Sequence, residues 1–332
     1  MRLRVLVWHV HGSWMTSFVQ GGHDYLMPTQ ADGSGGRSGR DWPPSAIEVP
    51  VDELRGTEVD VVVLQRLEEF DLTTELLGRV PGRDVPAIFV EHNTPKGAVP
   101  DTRHPCADRP DVHLVHVTHF NDLMWDSGEA PVTVIEHGIV DPGYRYTGEL
   151  RRAAVVVNEP VRRWRTTGTD LLPALARGAP LDVFGMKLGG LGDTLGTGPD
   201  LVRPAGDLPP AHLHEQMARR RVYLHPIRWT SLGLSLLEAM HLGMPVVALA
   251  STEAIRAVPA EAGVLSTRVD DLVDALRTLC NEPAMARQLG KCAREYALEH
   301  FGLTRFLGRW DDLLRQVAGR DGRPTTGRQS CE

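Results

Sequence analysis

The sequence predicts an α/β protein made of two doubly wound parallel sheets that face each other across a cleft. Three observations predict it. Short runs rich in Val, Leu and Ile (residues 3–8, 59–64, 87–91, 181–184, 222–225 and 246–249) alternate with stretches of helical period, the pattern of parallel sheets covered by helices. Gly and Pro stand at the junctions between those runs, where they stop one element and free the next. The chain has 332 residues, enough for two domains with separate cores.

Residues 3–8 form the first strand, which ends at His9-Val10-His11-Gly12. His9 and His11 share a face but have no carboxylate or cysteine beside them, so no metal site is expected there. The pair Gly21-Gly22 is either a plain turn or a place where the backbone approaches a ligand, and a helix or loop starts near His23. Residues 29–45 are rich in Gly, Ser and Pro and are expected to bury little, as a mobile loop or a disordered one. A strand at 59–64, a helix at 73–80 and a strand at 87–91 follow. That strand runs into Glu91-His92-Asn93-Thr94-Pro95-Lys96-Gly97, a polar cluster at a carboxyl edge, where loops carry function. His92 can serve there as a ligand contact or as a capping histidine. A strand at 111–118 gives way to a short helix capped by Thr118. His113, His116 and His119, three apart, fall on alternating faces and predict no metal site. A strand at 132–136 leads to a linker at 141–152.

In the second half, a strand at 153–157 leads into Asn158 to Leu172, a turn holding Arg162, Arg163 and Arg165. Residues 181–184 form a strand closed by Gly185, and 189–199 a glycine-rich surface loop. A strand begins at Val202-Arg203, and a helix covers 211–219. Residues 222–225 are a buried strand stopped by Pro226. Thr230, Ser231 and Gly233 then make a tight turn before a helix from Leu234, whose buried side is Leu234, Leu237 and Met240. Gly243 ends this helix, and Pro245 stops it from restarting before a strand at 246–249. The helix N-terminus thus opens at the carboxyl edge of a parallel sheet, where ligands sit and free N–H groups favour a phosphate. Glu238 lies one turn inside, within reach of a sugar diol. A short strand at 263–265 precedes amphipathic helices at 270–280, 283–300 and 303–317. The polar residues 319–332 read as a disordered tail.

Composition narrows the function. Hydrophobic content of 42% and charged content of 24% are ordinary for a soluble globular enzyme. A net charge of −7 argues against nucleic acid as the main partner. Three of the 36 basic residues are Lys and the other 33 are Arg, a bias that hints at a high-G+C bacterial source. Cys106, Cys280, Cys292 and Cys331 show no paired spacing, and no signal peptide is recognised, so reduced thiols in a cytoplasmic protein are expected. No apolar run approaches the ~18 residues of a membrane span. The nucleotide fingerprint G-x-G-x-x-G, the elbow G-x-S-x-G, the zinc motif H-E-x-x-H and the Walker lysine loop are all missing.

The run from Trp229 to Val247 resembles the donor-binding signature of GT-B glycosyltransferases, in particular glycosyltransferase family four, whose usual form is E-G-F-G-L-x-x-x-E-A-M-A-x-G-x-P-V-V. Gly233, Leu234, Glu238, Ala239, Met240, Gly243, Pro245, Val246 and Val247 match in register, and Thr230 replaces the first glutamate. The resemblance implies the GT-B fold, with Rossmann-like domains at 1–145 (acceptor side, including the loop 29–45) and 146–302 (nucleotide sugar). It implies a helix at 303–318 that crosses back to the first domain. It also implies a metal-independent hexosyltransferase that retains anomeric configuration and needs no cofactor.

The stretch from 158 resembles the family's G-R-L-x-x-x-K-G-x-D-x-L. Arg162 falls on its arginine and Thr167 on its lysine, so Arg163 or Arg165 would supply the missing charge to the donor diphosphate, unless the turn is merely a solvated basic one. By the same resemblance His92 meets the donor sugar, Gly21-Gly22 approaches the diphosphate or the acceptor, and Phe184, Gly185 and Arg203 lie near the base. Thr230, with the amides of Ser231, Leu232, Gly233 and Leu234, completes the donor pocket. His11, His23 and Asn93 fall on the acceptor side. The implied partners are a UDP- or GDP-linked sugar and a small-molecule or glycan acceptor, and a homodimer stays open. Competing readings are a nucleotide-sugar epimerase, an inverting transferase using His11, His23 or Asp24 as base, and an inactive family member that only binds.

Overall fold

The computed structural model describes residues 1–319, so the predicted tail beyond Gly319, with Cys331, falls outside the described residues. The first domain runs β1 (Arg4–Val7), α1 (Gly12–Phe18), β2 (Asp24–Thr29), β3 (Ala46–Pro50), β4 (Val61–Leu64), α2 (Glu68–Leu77), β5 (Ala87–Glu91), β6 (Val112–His116), α3 (His119–Met124) and β7 (Val132–Val134). The second comprises β8 (Leu150–Val156), α4 (Pro160–Arg163), α5 (Leu172–Leu175), β9 (Leu181–Phe184), α6 (Leu191–Leu195), β10 (Val202–Gly206), α7 (Pro210–Arg219), β11 (Arg220–His225), α8 (Leu234–Leu242), β12 (Val246–Leu249), α9 (Ala254–Ala257), β13 (Gly263–Ser266), α10 (Val269–Asn281) and α11 (Pro283–His300). Helix α12 (Leu303–Val317) closes the described chain.

Both sheets are parallel, in the orders β3-β2-β1-β4-β5-β6-β7 and β10-β9-β8-β11-β12-β13. In each, the order reverses beside the first strand (β1/β4 and β8/β11), and a crevice opens there at the carboxyl ends, the place where such sheets bind ligands. Each sheet is the centre of a doubly wound Rossmann-like domain, as the alternation of strands and helices predicts. Strands β4, β5, β9, β11 and β12 are buried on both faces, which explains their continuous apolar runs.

Helix α12 returns to the first domain. Its Phe306, Trp310 and Leu314 are buried with Trp14 and Phe18 of α1, and the Trp310 ring lies 4.9 Å from Phe18 and 5.6 Å from Trp14. Such tilted aromatic pairs add about 0.5–1.5 kcal/mol each beyond burial.

Several elements differ from the expectations. Residues 24–29 are a strand, not the start of a helix; Asp24 and Pro28 dilute its apolar signal to three residues. Strand β3 carries no readable signal, because Ile47, Glu48 and Pro50 are exposed and break any apolar run or alternation. Helix α2 begins at Glu68, five residues before the predicted start at 73. The buried Glu69 carboxylate accepts from the Gln65 amide at 2.6 Å, which favours a helix N-terminus there. The loop after β2 is pinned rather than loose: Trp42 is buried and donates to Thr16 Oγ1 at 3.0 Å, and Gly36 O lies 3.1 Å from His9 Nδ1. The 189–199 loop contains α6, with Leu191 buried. The linker ends sooner than expected, since β8 begins at Leu150.

Candidate functional site

The crevice is assembled from the carboxyl ends of both sheets. On the first domain, the exit of β1 carries His11, the exit of β5 carries His92, and the segment after β7 carries His137. The His11 and His92 rings are 4.1 Å apart, with Trp14 edge-on to His92 at 5.1 Å. Burial, then the charges of His11 and His137, holds His92 well below the ordinary imidazole value. Burial and His11 lower His137 to about 3. His11 is lowered too, by burial against the pull of Glu91. The cluster is therefore neutral at pH 7, able both to donate and to accept hydrogen bonds. His92 Nε2 and His137 Nδ1 are buried without a partner among the described residues, although buried polar atoms are normally satisfied.

On the second domain, β11 ends at His225, and the turn from Pro226 to Gly233 leads into α8. Gly233 is the N-cap of α8 and supplies no side-chain cap, so the first N–H groups of the helix are left for another acceptor. Gly233 also has to be small: a Cβ would come within 2.9 Å of the His225 ring. Tyr223 and Ser235 hydroxyls meet at 2.9 Å under the first turn. Glu238 lies partly buried with its Oε2 3.5 Å from His214 Nε2 of α7, an ion pair only if that histidine is protonated.

Direct contacts hold the two sides together. Ser231 Oγ donates to His92 O at 2.6 Å, and Trp229 Nε1 donates to Pro95 O at 2.9 Å. Glu253 Oε2 accepts from Phe120 N at 2.8 Å, and Arg256 pairs with Glu136. His92 and the lead-in to α8 are therefore neighbours.

The basic turn after β8 lies on the same edge, its Thr166 carbonyl accepting from the amides of Arg228 and Trp229 at 3.0 and 3.2 Å. Gly168 packs so closely there that a Cβ would lie 1.8 Å from Pro226 O, and its φ of +70 is left-handed. The three arginines differ. Arg162 is exposed and gripped by Glu159, which also holds Lys187. Arg165 is turned 3.2 Å from Asp170, which Arg228 shares. Arg163 is half-buried, and its guanidinium has no hydrogen bond or ion pair among the described residues. Burial, then Arg162, lowers its pKa. Thr167 is buried and bonded to Thr169 at 2.8 Å and to Trp164 O, so it faces the interior. Thr230 is half-buried at the turn.

Four expected positions lie elsewhere. Gly21, Gly22 and His23 precede β2 and therefore sit at the amino edge of the first sheet, opposite the crevice. His23 is buried 3.0 Å from Asp311 of α12, and its Nδ1 accepts from Leu3 N. Arg203 stands near the start of β10 and is committed to Asp182 at 2.6 Å, alongside Arg152 and Arg220. Phe184 is buried, its ring under the Arg220 guanidinium at 5.1 Å. Gly185 does occupy the carboxyl edge: its φ is +130, and a Cβ would lie 2.2 Å from Val157 O. Asn93 is exposed, its amide bound to Glu91 Oε1 and its carbonyl to Asn121 and Trp125. His214 and Lys187 belong to no motif visible in the sequence, whereas His137 opens the run His137-Gly138-Ile139-Val140-Asp141, which resembles the family's P-N-G-V-D exit from the first domain but does not mark the histidine as a site residue. Arg40, which lies against Gly12 beside His11, was hidden in the low-complexity loop.

Comparison with known proteins accords with this geometry. Residues 199–296 match the family model described as Glycosyl transferases group 1. No curated protein matches the chain by sequence. Among solved structures, the chain is similar to sucrose-phosphate synthase from Thermosynechococcus elongatus, at 16% identity and a TM-score of 0.71 over 96% of this chain and 100% of that one. It is also similar to Anabaena HepE in complex with UDP, at 15% identity and 0.70 over 95% and 100%. A third likeness, to TarM, has 16% identity and a TM-score of 0.61 over 76% of this chain and only 54% of TarM. The fold and the matched segment together support a GT-B glycosyltransferase. Among the described residues, no helix is long and apolar enough to cross a membrane.

Proposed function

We propose that this chain is a metal-independent hexosyltransferase of the family-four type that takes a sugar from a nucleoside diphosphate and retains its configuration. The observation that carries the reading is the meeting of His92, with its unpartnered buried Nε2, and Ser231 of the turn that leads into the uncapped start of α8. The amides from Ser231 to Leu234 and the Arg163 guanidinium hold the diphosphate, Glu238 accepts from the ribose diol, and His92 and His137 hydrogen-bond the hexose. Arg163 takes the part that the motif gave to Arg162, because Glu159 already neutralises Arg162.

The bond from the anomeric carbon to the β-phosphate oxygen breaks through an oxocarbenium-like state. The acceptor oxygen bonds to the same face, and its proton passes to the departing phosphate. Retention without an enzyme nucleophile suits the carboxylate nearest His92: Glu91 is tied to His104 at 3.1 Å and to the Asn93 amide at 2.6 Å. HepE has been solved with UDP-glucose, which makes UDP-sugars the first donors to try. The acceptor is a soluble small molecule or glycan met by His11 and Arg40, and the site is cytoplasmic and needs no cofactor.

The test is calorimetry with UDP and GDP, followed by turnover of a nucleotide-sugar panel with product anomers read by NMR. One of the two nucleotides is expected to bind the parent at least tenfold more tightly than it binds Glu238→Ala. Equal affinity in parent and variant overturns the reading. A second reading, a binding protein without turnover, is favoured by Thr230 in place of a glutamate; nucleotide binding with no donor consumed would establish it.

A further inference from the structure

We propose that a cavity at the amino edge of the second domain, far along the sheet from the donor crevice, binds a phosphate group. The cavity has a volume of about 220 Å³ and is lined by Tyr146, Thr147, Gly148, Glu149, Arg221, Pro283 and Arg287. It lies where the interdomain linker enters β8, next to the start of β11 and the N-terminus of α11.

Arg221 is the central observation. It is 91% buried by its 9% exposure, yet no carboxylate among the described residues pairs with it. Its Nε donates to Gly148 O and its Nη1 to Cys280 O at 3.2 Å, and its Nη2 has no partner among the described residues. A buried cation is ordinarily matched by an anion, so a guanidinium held only by two carbonyls is an incomplete site. Arg287 is exposed at the rim and also lacks any ion pair or hydrogen bond among the described residues.

The surroundings favour an anion. Pro283 is the first residue of α11, an 18-residue helix without a side-chain cap, so its dipole adds positive potential. Tyr146 lines the cavity with both arginines, its hydroxyl donating to Arg221 O at 2.7 Å; burial raises this phenol to about 12 while Arg221 and Arg287 pull it down. Glu149 is the acidic residue in the lining, and Arg219 engages it at 2.5 Å. The size chooses among anions: ligand pockets for drug-sized molecules span roughly 300–1,000 Å³. The smaller cavity suits inorganic phosphate or a small phosphomonoester. A phosphate held by Arg221 and Arg287 would tie the linker to α11.

Calorimetric titration of the full chain with inorganic phosphate tests the site, with parent, Arg287→Gln and Arg221→Lys compared. Arg287 is exposed, so its variant is expected to fold, as far-UV circular dichroism would verify. Saturable binding by the parent, weakened about tenfold or more in Arg287→Gln, is the expected result. Absence of saturable binding by the parent overturns the site. So does phosphate affinity that neither substitution changes, since the ion would then occupy the donor crevice instead.

Discussion

The Ser231 hydroxyl donates to the backbone carbonyl of His92 across 2.6 Å, and both residues are buried. One bond thus fixes the turn before α8 against the exit of β5, so the phosphate-facing and sugar-facing parts of the crevice are held in register. Ser231→Ala leaves that carbonyl without its donor, at a cost of about 1–3 kcal/mol if water does not replace it. Nucleotide affinity is expected to fall about tenfold in calorimetry, with little change in the far-UV spectrum. Unaltered affinity would mean that the contact does not help to form the site.

Arg162 and Arg163 are adjacent but should not be equivalent. Arg162 has Glu159 as its partner, and removing it deletes an exposed, solvent-screened pair that contributes little. Among the described residues Arg163 has no partner to lose, so its charge is available to a diphosphate. Arg163→Ala is expected to weaken UDP binding about tenfold or more, and Arg162→Ala to weaken it by less than about threefold. The reverse order would return the diphosphate to Arg162.

The histidine cluster sets an acid limit. Burial lowers His92 and His137, His137 to about 3, below the free value of about 6.5. Stability linked to them is present above that free value and is lost as pH falls toward the folded one, because only the unfolded chain takes up the protons. Each group steepens the loss toward about 1.4 kcal/mol per pH unit. Urea midpoints at pH 7, 6 and 5 should fall, and His137→Asn should flatten the fall by about one proton. Parallel profiles for parent and variant would show that His137 is already charged in the folded chain.

How far the sequence led can be seen residue by residue. Alternating strands and helices were legible because parallel strands buried on both faces leave unbroken apolar runs; β5, β9, β12, α11 and α12 stand where their patterns placed them. The α8 turn was legible because Gly233 and Gly243 meet local backbone demands. Strands β2 and β3 were not, since proline and exposed residues break their pattern. The misplaced site residues share a cause. Gly21, His23 and Arg203 resemble crevice residues by type, but which edge they occupy depends on strand direction and on distant partners such as Asp311 and Asp182. The choice of Arg163 over Arg162 depends on where Glu159 points, and only the folded chain reveals that.

The brace by α12 is testable through Trp310, which is 2% exposed between Trp14 and Phe18. Trp310→Ala removes an indole from a packed interior, a change that typically costs about 3–5 kcal/mol. A drop of that order in unfolding free energy by urea denaturation is expected, and a loss under about 1 kcal/mol would show that α12 is only loosely held.

Glu253 carries a pH dependence opposite to that of the histidines. It is buried at 4% exposure, and its carboxylate accepts the amide of Phe120 from the other domain at 2.8 Å while Arg256 donates to it from its own helix at 2.8 Å. Burial raises its pKa, and the amides of Phe120 and His119 only partly offset this. A carboxyl whose folded value is raised contributes stability that is complete below the free glutamate value of about 4.3 and is lost as pH rises through the folded value. Glu253→Gln cannot titrate, so parent stability minus variant stability should decline as pH rises from the free value upward. A difference that grows with pH would mean that the bonds to Phe120 and Arg256 outweigh burial, leaving a carboxylate that clamps the domains most firmly when ionised.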